Sequence, residues 1–132
     1  MDTLGLLVEV RVHAADRQDR DGAKLVLAPL KEKHGRLKKI WADENYRGAL
    51  REWVHNLRHG RGHRRIELEI VAKVDGHAFV VLPKRWIVER TFAWFGRSRR
   101  LSKDYEALCE TVETWIYIAM SHLMVKRLAR RK

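Results

Sequence analysis

The sequence LPKRWIVERTFAWFGRSRRLSKDYE, at residues 82–106, holds the clearest structural pattern in the chain. Pro83 suits the first turn of a helix, and the apolar residues after it predict a helix over about residues 84–97. Glu89 lies within this mostly apolar helix, where a charge without a partner would be costly. Its expected partner is Arg85, one turn earlier on the same face. A basic turn follows the helix. The segment therefore combines one acidic residue, Glu89, with apolar residues around it and basic residues after it.

Both helices and strands are predicted elsewhere along the chain. Residues 4–12 alternate valines with charged residues, as in a strand with one buried face. Pro29 is expected to kink or break a helix over residues 23–34, which Gly35 then stops. The other expected elements are a short buried strand at 36–43, a helix at 46–57, a basic loop at 58–65, strands at 66–73 and within 75–86, and a final helix at about 105–128. This order predicts one mixed α/β domain.

The composition is strongly basic. The 132 residues contain 28 Lys and Arg against 17 Asp and Glu, which gives a formal net charge of +11, and the pI is about 10.3. Such an excess attracts polyanions and favours a nucleic-acid partner, although a merely solvated basic surface gives the same count.

Several other classes of protein are disfavoured. Cys109 is the single cysteine, so no internal disulfide forms, and its place in an amphipathic pattern predicts a small buried side chain. The first residues lack the basic and apolar regions of a signal peptide, and no apolar stretch is long enough to span a membrane. We therefore expect a soluble, cytoplasmic protein.

Three acidic residues are the strongest candidates for chemistry. Asp2 precedes the first predicted strand, Asp43 ends a predicted strand, and Glu89 lies in the apolar helix. A structural interpretation remains open for two of them: Glu89 would form a buried-edge ion pair with Arg85, and Asp43 would cap a helix starting near Tyr46. The chain has no zinc-ligand spacing, phosphate-binding loop or glycine-rich dinucleotide turn, and its histidines are scattered.

Three further stretches extend the pattern of residues 82–106 over the whole chain. They are MDTLGLLVEVRVHAADRQDRDGA at 1–23, IWADENYRG at 40–48, and ETVETWIYIAMSHLMVKRLAR at 110–130. Together these stretches resemble the DDE transposases of bacterial insertion sequences, in the group named for insertion sequence five. The resemblance implies a ribonuclease-H-like fold of the retroviral-integrase type, in which helices flank a mixed sheet.

The resemblance also implies which residues act. Asp2 in DTLG, Asp43 in WADENYRG and Glu89 in RWIVERTFAW match the family's catalytic Asp-Asp-Glu triad. Arg85 matches the arginine of the family's tyrosine-arginine-glutamate-lysine signature. This sequence departs from that signature at its two ends, where Leu82 replaces the tyrosine and Gly96, next to Arg97, replaces the lysine.

The implied activity is DNA transposition by metal-dependent phosphoryl transfer. The three carboxylates would hold Mg²⁺ (or Mn²⁺), a hard ion that prefers oxygen ligands. Asp2 would contact two ions, and Asp43 and Glu89 one each, while water and then a 3′-hydroxyl attack in turn. The implied partner is double-stranded DNA at the element's ends and at the target, bound by a homo-oligomer near the bacterial nucleoid.

Basic residues near the acidic ones are candidates for DNA contact, because contacts with phosphates position a duplex without reading its sequence. Trp86, Trp94 and Trp115 could stack on an extruded base, but their helical spacing favours core positions. The candidate DNA-binding residues are Arg85, Arg90, Arg97, Arg99, Arg100 and Lys103 around the helix, and Arg61, Arg64 and Arg65 in the basic loop.

The beginning of the chain raises an alternative. In the resemblance, Asp2 closes the first, central strand of the sheet, and only Met1 precedes it here. We therefore expect a catalytic domain truncated at its N-terminus and lacking that strand, with poor stability on its own. The alternative function is a catalytically inactive transposase remnant that only binds DNA or regulates.

Overall fold

A computed structural model describes residues 1–57, 66–71 and 84–130. The chain divides into two compact units, a sheet unit of residues 15–80 and a helical unit of residues 1–14 and 81–132. The described elements are, in chain order, α1 (Asp19–Lys33), β1 (Lys39–Asp43), a 3-10 turn (Glu44–Tyr46), α2 (Ala49–Asn56), β2 (Glu67–Val71), α3 (Arg85–Gly96), a second 3-10 turn (Arg99–Leu101) and α4 (Cys109–Ala129). The architecture is mixed α/β.

The sheet unit is organised by a pair of parallel strands. β1 and β2 pair from Lys39 with Glu67 to Asp43 with Val71, and α2 lies in the connection between them, as parallel pairing requires a crossover. Parallel pairing brings the carboxyl ends of both strands to one edge. Asp43, the last residue of β1, therefore lies at the edge where α/β sheets commonly place functional groups.

The core of the sheet unit comes from apolar residues at helical and strand periods. Leu50 and Val54 are one turn apart on α2 and are buried, because side chains four residues apart share a helix face. The other buried apolar residues described in this unit are Leu27 and Leu30 of α1, Leu68 of β2, and Ile66 just before it.

The helical unit consists of α3, α4 and the irregular segment 1–14. On α3, Ile87 and Thr91 are buried one turn apart, and Met120 of α4 is also buried. The helices α3 and α4 contact each other and the second 3-10 turn. A membrane-spanning segment is not found among the helices of residues 1–57, 66–71 and 84–130.

Most predicted elements are confirmed in type and approximate position. The predicted helices at 46–57, 84–97 and 105–128 correspond to α2, α3 and α4, and the strands at 36–43 and 66–73 to β1 and β2. The first helix forms as α1, but Pro29 lies inside it without ending it. The predicted basic loop, and most of the predicted strand within 75–86, lie outside the described residues.

The strand predicted at residues 4–12 is wrong. These residues are irregular, and no strand is assigned to them. Side chains of α4 bind their backbone instead: Val10 N donates to Tyr117 Oη at 3.4 Å, and Val12 N donates to Glu113 Oε1 at 2.9 Å. The alternation that suggested a strand therefore belongs to an irregular segment whose backbone binds helix side chains.

Three predictions of burial are also wrong or only partly right. Cys109 is exposed, because it is the first residue of α4 rather than an interior one. Trp86 is 48 % exposed, while Trp94 and Trp115 are half-buried. β1 was expected to be buried, yet each of its residues is half-buried or exposed.

Candidate active site

Asp2 lies in a closed turn formed by residues 2–6. Its Oδ1 accepts hydrogen bonds from Leu4 N and Leu6 N, both at 2.8 Å. The backbone closes the same turn, since Asp2 N donates to Leu6 O at 2.8 Å and Gly5 N donates to Asp2 O at 3.0 Å. The aspartate is thus an integral part of the turn, and its Oδ2 has no hydrogen-bond partner among the described residues.

This turn docks on α3 through the two residues that follow Glu89 in the sequence. Arg90 Nη2 donates to Leu4 O at 2.8 Å, and Thr91 Oγ1 donates to Gly5 O at 2.9 Å. Both donors immediately follow Glu89 in the sequence. The structure therefore brings the segment that holds Asp2 onto α3, the helix that holds Glu89.

Gly5 makes the docking possible. Its φ is +77°, and an added Cβ would lie 2.8 Å from Thr91 Oγ1 and 3.1 Å from Arg90 Nη2. A side chain at this position would meet both an unfavourable backbone conformation and the surface of α3. Only glycine allows this close approach without a shift.

Glu89 forms the predicted ion pair with Arg85. Arg85 Nε lies 3.3 Å from Glu89 Oε1, and the two side chains are 60 % and 68 % exposed. The predicted partner is confirmed, but the pair lies on the surface and not at a buried edge. An exposed pair at this spacing contributes only about 0.3–0.5 kcal/mol, so Glu89 can exchange its partner at little cost.

Asp43 lies in the sheet unit, at the carboxyl end of β1. Its Oδ1 accepts a hydrogen bond from Asn45 N at 3.1 Å and caps the 3-10 turn Glu44–Tyr46. The expected capping role is therefore present, although the capped element is this turn and not α2. Burial raises the pKa of Tyr46, and the charges of Asp19 and Asp43 raise it further.

The candidate DNA-binding residues differ in their surroundings. Arg100 pairs with Glu106 at 3.2 Å and lies over the ring of Trp115. Arg90 is only half-exposed and is held by the Asp2 turn. Arg61, Arg64 and Arg65 lie outside the described residues. The exposed members are Arg85, Arg97, Arg99, Arg100 and Lys103.

Sequence reasoning missed Gly5 and Thr91 as residues that shape the site. Thr91 lies two positions after Glu89, on the buried side of α3. The sequence offered two indications of their role. One was a threonine within an apolar helix, and the other was a glycine three residues after a candidate aspartate. Neither residue reveals its partner, because the two are 86 positions apart.

A comparison with protein families identifies the chain. The family model described as transposase DDE domain matches residues 1–124. The chain belongs to this transposase family. No curated protein and no solved structure matches it significantly. Membership of the transposase DDE family implies a ribonuclease-H-like fold, DNA as the substrate, and a general role in DNA transposition.

DDE transposases generally use divalent metal ions, and the residues present fit such an ion chemically. The candidate donors Asp2, Asp43 and Glu89 offer carboxylate oxygens, the ligands that hard divalent ions prefer. Among residues 1–57, 66–71 and 84–130, no three or more His, Cys, Asp or Glu side chains are grouped so that they could hold a metal ion.

Proposed function

We propose that this chain carries the DNA cleavage and strand-transfer chemistry of an insertion sequence of the insertion-sequence-five group. Asp2, Asp43 and Glu89 are the proposed catalytic carboxylates. The docking of the Asp2 turn on α3 is the observation that carries the proposal, because it places the segment that holds Asp2 against the helix that holds Glu89.

Each carboxylate has a role that its surroundings allow. The turn amides hold Asp2 by Oδ1, which leaves Oδ2 for a ligand. Asp43 caps the 3-10 turn through Oδ1. Glu89 would leave its surface ion pair with Arg85, whose guanidinium could then bind a phosphate oxygen. Bound Mg²⁺ or Mn²⁺ would activate the attacking oxygen and stabilise the leaving one.

The basic residues after α3 would hold the DNA backbone. Arg97, Arg99 and Lys103 are exposed in and beside the second 3-10 turn, which places positive charge next to the Glu89 helix. Phosphate contacts of this type give affinity that falls steeply with salt. The proposed active species is a homo-oligomer bound to double-stranded DNA.

Metal-dependent nicking of a supercoiled plasmid that carries the element's ends tests the proposal. We expect E89Q to lower nicking about 100-fold or more, since a group that stabilises the transition state commonly contributes that much. E110Q is the matched control and should nick at about the wild-type rate, because Glu110 is an exposed glutamate of α4 outside the proposed triad.

The aspartates allow a sharper version of the same experiment. In D2N and D43N the amide oxygen can still accept the backbone hydrogen bonds, so the turns persist while the negative charge is lost. We expect both variants to keep their folds and to lose nicking. Wild-type protein that binds DNA with steep salt dependence, but never nicks it with Mg²⁺ or Mn²⁺, would favour the inactive, DNA-binding alternative.

A further inference from the structure

We infer that Thr91 and Arg90 are positioning residues that fix the Asp2 turn on α3, the helix that carries Glu89. The inference rests on the proposed function, since it assumes that these two carboxylates act together. Neither Thr91 nor Arg90 needs to touch DNA or metal for this role. They act through the backbone of the turn that contains Asp2.

Thr91 provides the buried half of the contact. Its side chain is fully buried, and its hydroxyl lies 2.9 Å from both Ile87 O and Gly5 O. A helical threonine can satisfy its hydroxyl with the carbonyl one turn earlier, so the approach of Gly5 O is not needed for that purpose. The single hydroxyl proton is shared, and Thr91 thereby ties α3 to the turn.

Arg90 provides the second contact between α3 and the Asp2 turn, and aromatic rings hold its own side chain in place. Its guanidinium carbon lies 4.3 Å from the ring centre of Trp86 and 4.8 Å from that of Trp94, one turn to either side. Arg127 of α4 also lies over Trp94, at 4.3 Å. Between the two rings, Arg90 Nη2 donates to Leu4 O. The two rings therefore fix the guanidinium in the position from which it binds the turn.

The buried Nε of Arg90 supports a local role. Within the described residues it has no hydrogen-bond partner, and a buried donor of this kind is costly. The aromatic rings and the Leu4 carbonyl offset that cost by fixing the side chain. Contact of Arg90 with DNA remains a separate prediction.

The turn transmits the position to the carboxylate. Leu4 N and Leu6 N bind Asp2 Oδ1, and Gly5 N binds Asp2 O, so residues 2–6 move together. Anchoring the carbonyls of Leu4 and Gly5 on α3 therefore determines where the Asp2 carboxylate lies relative to Glu89. Loss of either anchor should loosen the whole turn.

Mn²⁺ is the probe for the test, used with the full-length chain. Paramagnetic broadening of the amide signals of residues 2–6 and 88–90 reports metal held jointly by the two segments. In T91V, which removes the hydroxyl at nearly constant volume, we expect the Mn²⁺ concentration for half-maximal broadening to rise about tenfold or more. T91S keeps the hydroxyl and should behave as the wild type does.

T91S also separates positioning from simple packing. Serine leaves a small cavity where the methyl group was, so a purely structural role would weaken T91S as much as T91V. Hydrogen exchange at Leu4 N and Leu6 N should accelerate in T91V and not in T91S. If T91V does not fold, R90K provides the same test, because lysine keeps the charge but cannot reproduce the planar contact with both rings.

The outcomes separate this inference from the proposed function. Equal Mn²⁺ broadening in T91V, R90K and T91S overturns the inference, and so does a wild-type protein whose residues 2–6 are not broadened. Plasmid nicking decides the proposed function independently. A wild-type protein that never nicks, with T91V weaker than T91S in Mn²⁺ binding, would leave the positioning role standing and the proposed function rejected.

Discussion

The sheet unit and the helical unit are stabilised in different ways. In the sheet unit, buried apolar side chains recur at regular helix and strand periods, as with Leu50 and Val54 on α2. In the helical unit, single polar contacts join segments far apart in sequence, as between Gly5 and Thr91. Apolar packing tolerates the exchange of side chains of similar volume. A hydrogen bond to one backbone carbonyl, in contrast, is lost when its single donor residue is replaced. The candidate carboxylates lie in both kinds of environment.

The largest expected loss of stability comes from the apolar core of the sheet unit. L50A removes a buried leucine and should lower the free energy of unfolding by about 2–5 kcal/mol. L25A, at an exposed position of α1, is the matched control and should change it by less than about 0.5 kcal/mol. Urea denaturation, followed by hydrogen exchange in each unit, measures both. Equal losses in the two variants would contradict the assigned core.

A somewhat smaller loss should follow substitution of Gly5 in the helical unit. G5A combines positive-φ strain with a contact on Thr91, so we expect a loss of about 2–4 kcal/mol. G48A separates the two causes, because Gly48 also has positive φ (+98°) but open space around it. Strain alone should cost about 1–3 kcal/mol there.

Two further variants sharpen the Gly5 experiment. Gly35 has neither positive φ nor a close neighbour, so G35A should be nearly neutral. T91A removes the atom closest to the added Cβ, and G5A should therefore be less damaging in a T91A background. Additive losses from G5A and T91A would show that the two residues are not in contact.

The smallest expected effect concerns a surface cluster on the sheet. Lys39 Nζ lies 3.3 Å from Glu67 Oε1 and also pairs with Glu69. The hydrogen bond that Lys39 donates to the Glu69 carboxylate is the main cause that raises the pKa of Lys39 above its usual 10.5. A raised lysine pKa stabilises the folded state fully below the unfolded pKa, and this stabilisation is lost as pH rises through the folded pKa.

K39Q should therefore be slightly less stable than the wild type at neutral pH, and the difference should shrink above about pH 10.5. It should also shrink with added salt, because the group is on the surface. Urea midpoints of both proteins over pH and salt series measure the difference. K24Q, which removes an exposed lysine paired with Asp21, is the control for loss of a surface charge. A difference that grows with pH would contradict the assigned pairing.

Sequence periodicity predicted those elements whose burial follows a regular pattern. α2, α3, β1 and β2 were all found near their predicted positions, because local propensity and burial agree there. The strand at residues 4–12 was predicted wrongly, since alternation cannot distinguish a sheet partner from helix side chains such as Glu113 and Tyr117. Cys109 was misjudged because the start of α4 was predicted four residues too early.

The candidate site was predictable only in part, and for a physical reason. The ion pair between Arg85 and Glu89 was expected because helical spacing alone brings these side chains together. The docking of Leu4 and Gly5 on α3 depends on tertiary contacts between residues 86 positions apart. No local pattern encodes such contacts, so the positioning residues became visible only in the structure.

The separation of 86 positions between Gly5 and Thr91 has a consequence for folding order. Pairing of β1 with β2 closes a loop about one third as long, and loop-closure entropy rises with the logarithm of length. The longer closure costs about 1 kcal/mol more. We therefore expect the Asp2 turn to reach α3 late, after the strands have paired. A newly made chain would pass through a stage with its sheet assembled and its first aspartate still unanchored.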